Sequence, residues 1–314
     1  MSPTRSSDLA DKHLVVIGLG LIGGSLSMAC RQRGVMATTT GYSRKPETVA
    51  IAEEMGVVDQ GETDLAKAVA AADIIFLAVP ILANRSVLEL IQPFIRPGTI
   101  ITDGGSVKGN VVADAKAVLS EDQLPWFVPG HPIAGAEKSG VTAANPNLYD
   151  AHRIILTPIE ETEPEALQVV TDMWQSVGAG VDTMSVEYHD EVLAATSHLP
   201  HLLAFNLVDT LAKQSENRDI FNHAAGGFRD FTRIAASDPV MWHDIFMANR
   251  QSVLGVLDQF VNELHKLRNA VAHADGHYMK QVFGDAKDAR DHFSRILESR
   301  QAKAKGANPE NRKP

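Results

Sequence analysis

One cysteine, Cys30, occurs in 314 residues. A single thiol excludes an intrachain disulfide and any zinc site built from several cysteines, and it suits a reducing compartment. An excess of basic residues is also missing, since the formal charge is -10. Nucleic acid is therefore not an expected partner, because proteins that bind it present a basic face. A small anionic ligand held by a local arginine stays open. Long hydrophobic runs are absent: "IIFLAVPILA" is short and interrupted by Pro80, and the opening "MSPTRSSDLADKH" lacks the apolar core of a signal peptide. A cytoplasmic protein with no membrane attachment is expected.

What is present is an ordinary globular composition, 44% hydrophobic, in a chain long enough for two domains rather than one. "HLVVIGLGLIGGSLSMACRQRG" reads as strand, glycine turn and helix up to Gly34. "ATTTGYS", "ADIIFLAVP" and "GTIITDGGS" read as further strands, with helices "KPETVAIAEEMG", "DLAKAVAAA" and "ANRSVLELIQPF" between them. Strands that are continuously apolar are buried on both faces, as a parallel sheet flanked by helices requires. The expected fold class is therefore α/β, a doubly wound domain over 1–184. It should continue through "HRIILTP" and a helical "PEALQVVTDMWQSVG" to a last strand, "AGVDTMS".

From Val186 the pattern is helical, and an all-α domain over 185–300 is expected. Ile245, Val253, Val256, Phe260, Leu264, Leu267 and Val271 recur at steps suited to one helix face. Such a stripe serves as internal core or as a subunit interface. The polar end, 301–314, is expected to stay disordered. No internal repeat is detectable.

Six motifs carry chemistry. Gly18, Gly20 and Gly23 fit G-x-G-x-x-G at a strand-to-helix turn, which points to a dinucleotide, although the same glycines could serve a turn that merely packs. At the end of the second strand, an acidic residue would favour NAD. "GYSRKPE" instead offers Ser43, Arg44 and Lys45, which favours NADP unless the basic pair is only solvated surface. "TDGGSVKGN" supplies Asp103, Ser106 and Lys108, and "GHPIAGAEKSG" supplies His131, Glu137 and Lys138, with His131 in a loop after a buried strand. Histidine is the natural proton carrier for a nicotinamide enzyme. In the helical half, His198 and His201 of "SHLPH" are three apart, yet nothing is obviously placed to complete a metal site, so no metal is expected. Arg229, Asp230 and Arg233 follow Gly226 and Gly227; a carboxylate clamp and an ordinary surface ion cluster both fit.

These segments, "VVIGLGLIGGS", "ADIIFLAVP", "TDGGSVK", "GHPIAGAEKSG", "ATSHLPH" and "GGFRDFTRIAASDPVMW", stand in an order that resembles the prephenate and arogenate dehydrogenases of tyrosine biosynthesis. The resemblance spans about residues 13–275. It implies NAD(P)-dependent oxidative decarboxylation of a cyclohexadienyl substrate to a phenol. His131 matches the histidine that accepts the proton of the ring hydroxyl, and Ser106 the serine that orients it. Arg233 matches the arginine that grips a substrate carboxylate, with Asp230 and Glu137 in an ion network around it and His201 in the substrate pocket. Gly18, Gly20, Leu21, Ile22, Gly23, Ser43, Arg44 and Val79 would contact NADP or NAD. Trp242 would pack at a pocket shared between subunits.

The resemblance further implies a homodimer formed through the helical domain. No chorismate mutase domain fits the length, and no regulatory domain is expected after residue 275. Two alternatives stay open: a related two-domain hydroxy-acid or imine reductase, and a nicotinamide-sensing protein without catalysis.

Overall fold

The four residues Leu14 to Ile17 have no polar side chain and no solvent exposure. In the computed structural model, which describes residues 9–135, 139–213 and 220–307, they form most of a central strand. This strand, β1 (His13–Ile17), leads through the glycine turn into α1 (Leu21–Gln32). There follow β2 (Thr38–Tyr42), α2 (Pro46–Glu54), β3 (Gln60–Glu62), α3 (Leu65–Val69), β4 (Ile74–Leu77), α4 (Asn84–Ile91), β5 (Ile100–Asp103), α5 (Lys108–Val118) and β6 (Phe127–Val128). Their six strands form one sheet, in the order β3-β2-β1-β4-β5-β6, and all neighbours are parallel.

Alternate residues of each strand face opposite sides. Leu14 and Val16 accordingly join one buried cluster with Leu26, Phe76 and Trp174, while Val15 and Ile17 join another with Ile75, Leu77, Leu88 and Val111. Each such aliphatic side chain contributes roughly 1.5–3 kcal/mol on burial. The predicted doubly wound domain is therefore present. The short strand β3 and helix α5 were not anticipated: "QGE" carries no apolar signal, and α5 opens on charged and small residues.

Beyond β6 the chain departs from expectation. Pro129 cannot donate to a strand ladder, and after it the chain enters a second sheet of β7 (Gly130–Ile133), β8 (Arg153–Leu156) and β9 (Gly180–Thr183), with α6 (Pro164–Ser176) between the last two. "HRIILTP" and "AGVDTMS" thus do form strands, but in a separate sheet where β7 runs antiparallel to β8 and β9 parallel to it. His131 consequently lies on strand β7, opposite Ile155, and not in a loop. Its Gly-His-Pro context hid the strand from sequence reasoning.

The helical stretch contains α7 (Val186–Leu193), a π turn (Ala194–His198), α8 (Leu199–Ala212), α9 (Gly226–Thr232), α10 (Pro239–Ala248), α11 (Arg250–Ala272) and α12 (Gly276–Ala307). Pro200 does not break the turn around the two histidines. The Leu199 N–H reaches the Ala194 carbonyl, and the wider π turn absorbs the proline at the start of α8. Helix α12 continues to Ala307, so 301–307 is helical rather than disordered, in keeping with its alanines and lysines.

By packing, the chain divides after Val253. The unit up to there holds both sheets, with α7 against α5 and α10 against the turn at Ile81–Ala83. The division therefore falls later than the change of pattern at 184/185. The second unit, from Leu254, comprises the rest of α11 and α12, and Leu264 and Val271 of the apolar stripe are exposed in it. Among the described residues, no helix is long and apolar enough to cross a membrane.

Candidate active site

The C-terminal ends of the parallel strands place the glycine turn, the β4 end, the β5–α5 turn and β7 in one row. Gly18 has a φ of +105°, and a side chain there would collide with the Ala78 carbonyl. One at Gly23 would strike the Gly18 carbonyl and Val16. A side chain at Gly20, by contrast, would meet nothing. Gly20 is also the N-cap of α1 and supplies no side-chain acceptor to its first turn. Open space in front of unclaimed helix N–H groups fits a pyrophosphate. Leu21 and Ile22 begin the helix, partly buried, and the Ile22 carbonyl accepts a hydrogen bond from the Tyr149 hydroxyl at 2.6 Å. Val79, also partly buried, follows β4 beside the turn. At the β2 end, Ser43 accepts from the Lys45 N–H through its hydroxyl, and Arg44 is exposed.

Next along the row, Asp103 ends β5 and Lys108 begins α5, with Ser106 partly exposed in the turn between them. Asp103 and Lys108 form an ion pair with no solvent exposure on either side chain. The pair holds both polar groups of the Gly130 peptide unit: the N–H donates to Asp103 and the carbonyl accepts from the Lys108 ammonium.

His131 follows directly, and its Nδ1 lies 2.9 Å from Nε2 of His189 on α7. His189 Nδ1 in turn lies 2.8 Å from Asp190 Oδ1. Asp190 also accepts from the backbone N–H groups of Lys108 and Gly109, capping α5 from a distant segment. Hydrogen bonds from His189 and these N–H groups outweigh burial and hold the Asp190 carboxyl below its ordinary range.

One arrangement of protons satisfies all of these contacts. Ionised Asp190 can only accept, so His189 carries its proton on Nδ1. Burial keeps His189 neutral despite Asp190, which leaves its Nε2 an acceptor, and His131 must donate from Nδ1. Burial above all, with the Lys108 charge acting in the same direction, holds the His131 ring well below the ordinary histidine value. The outcome is a neutral imidazole with a bare Nε2, the state required of a general base.

The helical wall supplies the other candidates. His198 is buried, and Asn249 donates to both its Nδ1 and the Asp190 carbonyl. Burial pushes His198 down to about 4, so it is neutral with its proton on Nε2. His201 Nδ1 donates to the Ser197 carbonyl at 2.8 Å, and its ring stacks on Trp242 with centroids 3.7 Å apart. Burial and the nearby Arg233 charge both disfavour protonation of His201. Trp242 is buried among His198, His201 and Phe246.

Arg233 is exposed at the end of α9, in the turn Arg233–Ala236 that packs on α8. Asp230 is exposed and pairs with Arg229 at 3.4 Å. Glu137 lies outside the described residues. Among those described, no group of three or more His, Cys, Asp or Glu is arranged to hold a metal ion.

Sequence reasoning missed His189, Asp190 and Asn249. "YHDE" opens an amphipathic helix and reads as a solvated face. One signal was available: His189 and Asp190 share helical spacing with the buried Leu193 and Ala194, so they fall on the apolar side.

Both halves of the chain match known proteins of one family. The family model described as "Prephenate dehydrogenase, nucleotide-binding domain" matches residues 26–183, and "Prephenate dehydrogenase, dimerization domain" matches 185–285. The cyclohexadienyl dehydrogenase of Zymomonas mobilis is 38% identical, with 89% of this chain and 95% of that protein aligned. A crystal structure of prephenate dehydrogenase from Aquifex aeolicus, in complex with hydroxyphenyl propionate and NAD+, is 37% identical with a TM-score of 0.85, covering 90% of this chain and 98% of that one. Synechocystis arogenate dehydrogenase is 30% identical with a TM-score of 0.77, covering 90% and 99%. With both family domains matched in order along most of its length, the chain belongs to the prephenate dehydrogenase family, enzymes that are NAD(P)-dependent and act on prephenate or arogenate.

Proposed function

We propose that this chain oxidises prephenate or arogenate with His131 as the base, giving 4-hydroxyphenylpyruvate or tyrosine. The single observation carrying the assignment is the hydrogen-bonded line from His131 through His189 to Asp190, in the same row as the dinucleotide turn. The bound nicotinamide supplies a hydride acceptor at its C4 carbon. His131 Nε2 takes the proton of the ring hydroxyl as the C–H bond beside it breaks and carbonyl character develops. The ring carboxylate then leaves as carbon dioxide, and its bonding electrons complete the aromatic ring. His131 returns its proton to the phenolate oxygen, so hydride and carbon dioxide are the only groups lost. Ser106 orients the hydroxyl, and Arg233 grips a carboxylate, with His201, Asp230 and Glu137 around it.

NADP is the proposed cofactor, because no acidic side chain follows β2 at Ser43 and Arg44. Replacing Ser43 with Asp should move preference toward NAD, as a carboxylate there binds the ribose hydroxyls and repels a 2′-phosphate. Comparing kcat/KM for the two cofactors checks this, and an unmoved NADP preference would locate the ribose elsewhere.

Asp190→Asn should lower kcat by roughly 10²–10³-fold, because an amide no longer dictates the histidine tautomers. Its capping of α5 is partly kept, so stability should fall by only about 1 kcal/mol. Activity and thermal unfolding measured together separate the two effects.

The domain roles are proposed as 1–184 for the cofactor and 185–300 for substrate and dimerisation, in a cytoplasmic homodimer. Exposed Leu264 and Val271 on α11 and Val240 on α10 supply apolar surface for the second copy. Testing the reaction requires an absorbance assay of cofactor reduction, crossing prephenate and arogenate with NAD and NADP. Reduction with either substrate supports the reading. None in any combination, from folded protein that binds cofactor, would replace it with one of the alternatives, a related reductase or a cofactor sensor.

A further inference from the structure

Lys108 is a fully buried lysine that the proposed reaction leaves without a task. Burying an ammonium is costly unless it is paired and hydrogen-bonded, and this one is both. Its Nζ meets Asp103 Oδ2 and the Gly130 carbonyl. The arrangement has a direction. Asp103 holds the Gly130 N–H, on the side of the peptide unit away from His131. Lys108 holds the Gly130 carbonyl, whose carbon is bonded to the His131 nitrogen. Of the two charges, it is the Lys108 ammonium that acts on the imidazole.

We infer that Lys108 is a positioning residue for His131: it fixes the start of β7 and supplies the buried positive charge that keeps the ring unprotonated. The inference rests on His131 being the base.

Among the described residues, the charged and titratable surroundings of His131 are few. Helix α7 brings His189 and Asp190, the π turn brings His198, and α5 and β5 bring Lys108 and Asp103. From the strand paired with it, β8 sets apolar Ile155 opposite His131, and Arg153 farther along pairs with Asp182 of β9. Asp190 is taken up by His189 and the α5 N-terminus. His189 and His198 are themselves neutral, so Lys108 is the full positive charge in this set. Desolvation and this cation act on His131 in the same direction.

The sign follows. A cation beside a base disfavours its protonation, so removing it should raise the pH at which His131 takes up a proton. The acidic limb of the kcat/KM profile should move up by the same amount.

Two variants test this. Lys108→Met removes the charge but strands Asp103. Asp103→Asn/Lys108→Met removes both charges and leaves no buried ion alone, so it serves if the single variant fails to fold. In each folded variant, the His131 ring titration followed by NMR should rise by about one pH unit relative to the unaltered protein. The acid limb should shift with it. A purely structural lysine would lower kcat at every pH and leave both midpoints in place, which would overturn the inference. If neither variant folds, Lys108→Gln, which removes the charge but keeps a donor for the Gly130 carbonyl, is titrated in their place: a raised His131 midpoint supports the inference, and an unmoved one overturns it. The NMR reading needs no substrate. A shift without any cofactor reduction would thus count against the proposed reaction and leave the electrostatic role of Lys108 standing.

Discussion

Replacing His131 with Asn should lower kcat by roughly 10²–10⁴-fold while leaving cofactor affinity almost unchanged. The asparagine amide nitrogen stands where Nδ1 stood, so the hydrogen bond to His189 can be kept and β7 should hold its place between Gly130 and β8. What disappears is the bare Nε2. Without it the hydroxyl proton must go to water, and the barrier rises as carbonyl character develops. Steady-state rates together with a direct measurement of NAD(P) binding make the test complete. A nearly normal kcat would remove His131 from proton transfer and reopen the choice among His198, His201 and His189. Of these, His189 and His198 already have ring nitrogens engaged by His131, Asp190 and Asn249.

Arg233→Gln should weaken substrate binding by about 1.5–3 kcal/mol, which corresponds to roughly ten- to a hundredfold in KM. The protein has a net charge of -10 and its proposed substrates carry carboxylates, so binding depends on a local cation. A guanidinium binds a carboxylate through two parallel hydrogen bonds, whereas glutamine offers one weaker donor. Arg233 is exposed and lies close enough to His201 for its charge to be felt there. The two are thus suited to one pocket wall. The loss should appear in KM for the cyclohexadienyl substrate and not for the cofactor, and added salt should narrow the difference between the two proteins. An unchanged KM would assign the carboxylate to another cation.

Both predictions concern residues visible in the sequence, yet their grounds differ. His131 was singled out because a histidine stood among glycines after an apolar run, and that reading misplaced it in a loop. What makes it a base is two residues of α7, one of them 58 positions away in the chain and hydrogen-bonded to its ring. Arg233 was grouped with Asp230 by spacing and by the family resemblance. In the fold Asp230 also pairs with Arg229, and His201, on a different helix, feels the Arg233 charge. Helical spacing shows which side chains can meet along one helix, but it is silent about the helix packed against it.

By itself the sequence determined the parallel sheet and the dinucleotide turn. The reason is that both are local. Leu14 to Ile17 announce burial on two faces without reference to anything else in the chain, and the spacing of Gly18, Gly20 and Gly23 between one strand and one helix is itself the signature of the turn. Only the tertiary structure decided the second sheet, the division after Val253 and the proton state of His131. Asp103 and Lys108 meet His189 and Asp190 from distant segments, Lys108 and Asp190 being 82 residues apart. The desolvation that makes their charges strong exists only once those segments have closed around them.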